Sequence, residues 1–259
     1  MANKEHLPEH PDKQNPSPKN PPGDSNFAGE EKETRSDIGD VLSEQEKFRV
    51  PSEDYCHALY DQYAVPETIQ RHCRKVAEVG VFLAKKLKEA GTKVDAELVT
   101  AGCLIHDAFK TASLEKLEPR PEWGYTPSER ELEVWRELRA RFAGMHETLV
   151  AAEMLRGEFP EFADFVSKIG STGNPTYLTE RIELKVLHYA DWRVQFDQII
   201  SFDDRLEYLR ETYKHKWIDK GEGWWDQKLQ EEKDLERELF QHLNFSPDEL
   251  TAAMAAKES

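Results

Sequence analysis

The 259-residue chain is poor in cysteine, in apolar residues and in positive charge, and each shortage excludes something. Three cysteines, Cys56, Cys73 and Cys103, are too few and too odd in number for a disulfide framework, and they read as reduced thiols of a cytoplasmic protein. Only 38% of the residues are hydrophobic, below the roughly 45–50% of an ordinary globular chain. A folded domain flanked by solvated polar segments is therefore expected. The longest apolar run, Val79 to Ala84, falls far short of the ~20 residues that span a bilayer, so no membrane partner is expected. The N-terminus has no apolar signal core, which argues against secretion. Lys and Arg number 35 against 51 Asp and Glu, a net charge of −16. Such a chain lacks the basic footprint of a general nucleic-acid binder. There is no glycine-rich phosphate loop, no CxxC pair and no internal repeat.

What is present divides into three parts. Residues 1–44 hold six of the fourteen prolines among Lys, Asn, Glu, Ser and Gly, with one Phe, Phe27, and little else to bury. A segment with so little to bury cannot offset its ordering entropy and is expected to be a disordered tail. Residues 45–217 carry helical periodicity, and no period-2 alternation long enough for a sheet. An all-α fold is expected. Pro66 opens a helix whose stripe is Ile69, His72, Val76, Val79, Leu83 and Leu87, stopping at Gly91. A second helix starts near Asp95 and carries Leu98, Gly102 and Ile105. Ser128 to Arg141 reads as an exposed charged helix. Further helices are expected from His146 to Arg156, Pro160 to Lys168, Leu178 to about Ile200, and Phe202 to Trp217. After Gly221 and Gly223, residues 218–259 read as an acidic helical extension, with Trp217, Trp224 and Trp225 anchoring it.

Four positions demand a chemical reason. His72 lies on an apolar stripe. His106 and Asp107 end a helix that is otherwise apolar inside. Asp191 falls on the stripe Leu184, Leu187, His188, Val194. A buried carboxylate is costly unless it is paired or bound to a metal. Taken singly, each residue has a structural explanation, such as a hydrogen-bonded core histidine or a polar helix cap. Together, two imidazoles and two carboxylates aimed into one helical core suit a divalent cation, and such nitrogen and oxygen ligands discriminate poorly among Mn, Co, Ni, Fe, Mg and Zn.

The order His72, His106-Asp107, Asp191 resembles the HD-domain superfamily of metal-dependent phosphohydrolases. The segments "RHCRKVAEVGVFLAKKL", "LVTAGCLIHDAFKT", "MHETLVAAEML" and "KVLHYADWRV" resemble the family's first-His helix, its HD-x-x-K helix, its His-Glu helix and its last-Asp helix. The resemblance spans roughly residues 55–200. It implies an HD-type helical bundle with a metal at its centre, held by His72, His106, Asp107 and Asp191. It also implies that a metal-activated water attacks a phosphoester, with Asp107 orienting the water and Lys110 stabilising phosphoryl charge. His146 matches a further family histidine. The next one is replaced in Lys168-Ile169-Gly170, so one divalent ion is expected, with His146 facing the substrate phosphate or carrying a proton. Arg193 is a second candidate phosphate contact. Arg120, Trp123 and Tyr125, in "EPRPEWGYTP", are candidates to cover a substrate.

The leading expectation is a phosphohydrolase acting on a phosphomonoester or phosphodiester of a small molecule, with a nucleotide suggested by the family alone. The alternative is a regulatory HD-type module that binds a nucleotide or partner protein with little or no turnover. Assembly with a second copy of the chain is left open.

Overall fold

The computed structural model describes residues 49–114, 116–117, 124–169, 181–212, 214, 220–221 and 223–256. The chain divides into two units, Met1–Gln45 and Glu46–Ser259. The expected tail, residues 1–44, and the positions Arg120, Trp123 and Trp217 lie outside the described residues.

The described residues are mostly helical. Helix α1 (Glu53–Gln62) starts at Ser52, whose hydroxyl accepts from the Tyr55 amide, satisfying one of the free N–H groups of a first turn. Helix α2 (Glu67–Glu89) follows Pro66. Its stripe is buried where the sequence expects it, with Val76, Val79 and Leu83 fully inaccessible. Gly91, at φ +92°, turns the chain after it. Helix α3 (Ala96–Ile105) is capped by the Asp95 carboxylate, which accepts from the amides of Glu97 and Leu98. The Asp95 amide in turn donates to Glu183 Oε1 at 3.0 Å, tying the start of α3 to helix α8 (Ile182–Trp192).

Helices α2, α3 and α8 pack against one another, and small residues set their spacing. A Cβ on Gly102 would stand 2.6 Å from Leu187 Cδ1 and 2.8 Å from Phe165 Cε1. A Cβ on Gly80 would stand 2.9 Å from Cys103 Sγ. Only glycine lets α3 approach this closely, and that approach brings the end of α3 beside Asp191.

Helices α4 (Lys110–Ser113), α5 (Glu129–Arg141), α6 (Glu147–Leu155) and α7 (Pro160–Ser167) follow. α5 has the expected charged face and a Ser128–Glu131 capping box, but it is not wholly exposed. Trp135 is fully buried and its indole donates to the Ala64 carbonyl at 2.8 Å.

The expected helix from Leu178 to Ile200 is corrected. Helix α8 ends at Trp192, and Val194–Gln195 (β1) pairs antiparallel with Gln198–Ile199 (β2), Val194 opposite Ile199. Phe196 takes φ +57° at the turn, a conformation no helix interior allows. Helices α9 (Phe202–Thr212) and α10 (Trp224–Phe240), a 3-10 turn (Pro247–Glu249) and α11 (Leu250–Ala255) complete the fold. The C-terminal helices share the main core rather than extending from it, because Leu235, Leu239, Phe240 and Leu250 are buried in the same cluster as α2, α3 and α8. Among the described residues, no helix is long and apolar enough to cross a membrane.

Candidate metal centre

The ends of α3 and α8 and the second turn of α2 deliver three side chains to one point. His72, His106 and Asp191 each present a ligand atom, and these atoms all lie within 4.8 Å of one another. His72 Nε2 is 3.0 Å from Asp191 Oδ1, and His106 Nε2 is 3.5 Å from the same oxygen. Asp107 stands at the edge of this cluster, its Oδ2 4.0 Å from His72 Nε2 and 3.9 Å from His106 Nε2.

The backbone decides which ring nitrogen faces inward. His106 Nδ1 is 2.7 Å from the Cys103 carbonyl oxygen, and His72 Nδ1 is 2.8 Å from the Phe196 carbonyl oxygen. A carbonyl only accepts, so each Nδ1 carries a hydrogen, and in the neutral form each ring turns an Nε2 lone pair toward the carboxylates. His106 Nε2 is buried and has no hydrogen-bond partner among the described residues; its 3.5 Å approach to Asp191 meets the ion-pair distance but is not a hydrogen bond. Lone pairs facing carboxylate oxygens at 3.0–3.5 Å require a positive charge between them, either extra protons or a cation. Donors about 2.0–2.2 Å from one ion stand about 3.0–3.5 Å apart at octahedral or tetrahedral angles. The residues present therefore fit a divalent metal, with imidazoles oriented by partners on their second nitrogens as in metal sites generally.

The electrostatics point the same way. Burial alone would raise the Asp107 carboxyl, but Lys110 first, then His106 and His72, overcome it and hold it at about 2. Asp191 is likewise held well below the usual carboxylate range, burial being overcome by contacts from His106 and His72. Burial disfavours protonation of His106, yet Cys73, Asp107 and Asp191 draw its titration upward. The Cys103 thiol behind it is pushed up to about 12 by burial, so it is a neutral packing group.

The cluster opens into a cleft of about 370 Å³ whose walls also include Lys110, His146, Glu147, Ile169, His188, Phe196 and Arg205. Lys110 Nζ donates to Asp107 Oδ2 at 2.5 Å. Burial would lower its pKa, but Asp107 and then Glu147 raise it, so it stays cationic beside the cleft. His146 caps α6: its Nδ1 accepts from the Thr148 amide. With Nδ1 accepting, the ring hydrogen sits on Nε2, which lies 3.6 Å from Glu147 Oε1. Ile169 lines the same cleft and offers no donor atom. Glu147, which the sequence reading passed over, lies beside His146 in the wall and accepts from Ser113 Oγ at 2.6 Å.

Arg193 and Tyr125 are placed differently from expectation, and His188 has a partner of its own. Arg193 is no phosphate contact: it is 3% exposed and absent from the cleft wall. Its guanidinium donates to the Ile200 carbonyl, the Tyr189 hydroxyl and the Pro247 carbonyl at 2.8, 2.8 and 3.0 Å, clamping α8 to the hairpin and the C-terminal turn. His188 lines the cleft, but its Nε2 is committed to Glu232 Oε2 at 2.8 Å. Glu232 is fully buried and also pairs with Lys228. Tyr125 is bonded to Glu131 at 2.8 Å and does not reach the cleft.

No family model and no solved structure matches the chain. Over 62 residues it is 37% identical to a tRNA (cytidine(56)-2'-O)-methyltransferase of Thermoplasma volcanium, a match that takes in 24% of this chain and 17% of the relative. This corrects the expectation of a phosphohydrolase and of a hydrolase class: the matched protein is named as a methyltransferase. It also removes the ground for setting nucleic acid aside as a partner, since that relative's named substrate is a tRNA.

Proposed function

We propose that the chain is an HD-type binding module that holds one divalent metal ion at His72, His106, Asp191 and Asp107 and binds a phosphorylated ligand beside it. The observation that carries this reading is the pair of inward Nε2 lone pairs around the Asp191 carboxylate, each imposed by a backbone carbonyl on the ring's other nitrogen. A bound metal would supply Lewis acidity toward a phosphoryl oxygen. Lys110 would add a fixed positive charge and His146 an Nε2–H donor. The sequence order His72, His106-Asp107, Asp191 with Lys110 three residues on gives the reading its HD-type name. Titration of the metal-stripped full chain with orthophosphate, with and without added Mn, Co, Ni, Fe, Mg or Zn, tests it. Phosphate binding that requires the metal supports it; phosphate binding indifferent to the metal counts against it.

A second reading comes from the matched segment: methyl transfer to an RNA ribose, or service to an enzyme that does so. It rests on the relative's name over 62 residues. Incubation of the chain with S-adenosylmethionine labelled on its methyl group and a tRNA transcript tests it by label recovered in the RNA.

A further inference from the structure

The cleft wall carries a further polar group that the metal centre does not use. Helix α9 contributes Arg205 and Tyr208 to its wall, and the hairpin contributes Phe196. Arg205 Nε is buried and has no hydrogen-bond partner among the described residues, and its guanidinium lies over the Tyr208 ring, 5.4 Å from the centroid. Its neighbour on the same helix, Arg210, is paired with Glu207 at 2.6 Å, and Asp203 takes Lys233. In a chain of net charge −16, a guanidinium set in a cleft wall without a carboxylate stands out. An unpaired buried N–H is costly to keep, and Arg205 lines the cleft wall, where a ligand oxyanion would meet its outer N–H groups. The planar fork suits a carboxylate or phosphate oxygen pair, and the cation–π contact with Tyr208 helps to hold it there. Phe196, 55% exposed, borders Tyr208 with ring centroids 6.5 Å apart and puts an apolar ring beside it in the cleft wall.

We infer that Arg205 binds a second anionic group, so that the cleft selects compounds with two separated oxyanions, a phosphoryl group at the metal and Lys110 and a carboxylate or second phosphoryl group at Arg205. This rests on the proposed metal-and-phosphate reading.

The test is calorimetric, on the metal-loaded full chain, with matched probes. Glycerol 3-phosphate is compared with 3-phosphoglycerate, and sorbitol 6-phosphate with 6-phosphogluconate and with a hexitol 1,6-bisphosphate. At least one two-anion probe is expected to bind about tenfold or more tightly than its one-anion match, the scale of a charge-assisted contact. In Arg205→Gln that ratio is expected to fall to within about twofold, with one-anion affinity unchanged; in Arg210→Gln it is expected to persist. Equal affinities within every pair for the wild type, or a preference that survives Arg205→Gln, would overturn the inference while leaving the metal-and-phosphate reading standing. If no one-anion probe binds with any metal, that underlying reading fails and Arg205's role falls with it. Thermal melting separates a loss of preference from a loss of fold.

Discussion

His72 and Phe196, 124 residues apart, are joined at 2.8 Å between an imidazole Nδ1 and a backbone carbonyl oxygen. The carbonyl reaches His72 because the two-residue strands on either side of Phe196 fold back and Phe196 takes φ +57°. A turn conformation therefore chooses which nitrogen of a candidate metal ligand faces the centre.

That relationship makes opposite predictions for two substitutions. Phe196→Gly suits the positive φ and should leave divalent-metal affinity within about threefold of wild type. Phe196→Val places a β-branched residue in the left-handed region, a strain on the order of 1–2 kcal/mol, and should weaken metal binding by about tenfold. Isothermal titration of both variants with the same metal reads the difference.

Gly102 is expected to tolerate nothing larger. Its would-be Cβ meets Leu187 and Phe165 within 3 Å, both in the packed core. Gly102→Ala should cost about 1–3 kcal/mol, as overpacking of a core does. Urea denaturation gives the value, and an unchanged midpoint would mean that α3 has room to move away from α8.

Lys110 should act on the ligand more than on the metal. Its ammonium neutralises Asp107 and borders the cleft, but it donates no lone pair to a cation. Lys110→Met is expected to keep the bound ion while lowering phosphate affinity by about tenfold or more, read by parallel titrations with metal and with orthophosphate.

The buried trio His188, Glu232 and Lys228 predicts an acid-labile attachment of α10 to α8. Burial would raise the Glu232 carboxyl, but His188 and then Lys228 overcome it and hold it below its ordinary value of 4.5. A depressed folded pKa means that this stabilisation is fully present well above pH 4.5 and is lost as the pH falls below it. Glu232→Gln leaves Lys228, 8% exposed, without its charge partner. It should cost about 3–5 kcal/mol at pH 7 and flatten the dependence of stability on pH between 6 and 3. Denaturant titrations across that range give both quantities.

The helices were legible because they depend on local signals: Pro66 and Gly91 bracket α2, Asp95 caps α3, and the stripe from Val76 to Leu87 is the face the core buries. His72, His106 and Asp191 were legible as a group because polar residues on apolar stripes have few places to go. The hairpin after Trp192 was not, since its break lies in the φ of Phe196 and no glycine or proline marks it. Arg193 and Arg205 were not separable either. Both are arginines near the same turn, and only the fold shows that one is fully bonded and buried while the other lines the cleft with a donor that has no partner among the described residues. Glu232 reads as one charge among many in "DQKLQEEKDLERE", and its burial is a tertiary fact. The activity expected from the family resemblance was the part that comparison with a curated protein overturned.

The most direct test of the account is the metal content of the full chain. The stripped protein would be equilibrated in turn with Mn, Co, Ni, Fe, Mg and Zn, dialysed, and measured by inductively coupled plasma mass spectrometry beside His72→Ala, His106→Ala and Asp191→Ala. The account predicts one ion per wild-type chain for at least one metal and a loss of at least about a hundredfold in affinity in each variant that remains folded. A wild-type chain that retains no ion from any of these metals, or variants that retain it as well as wild type does, would contradict it.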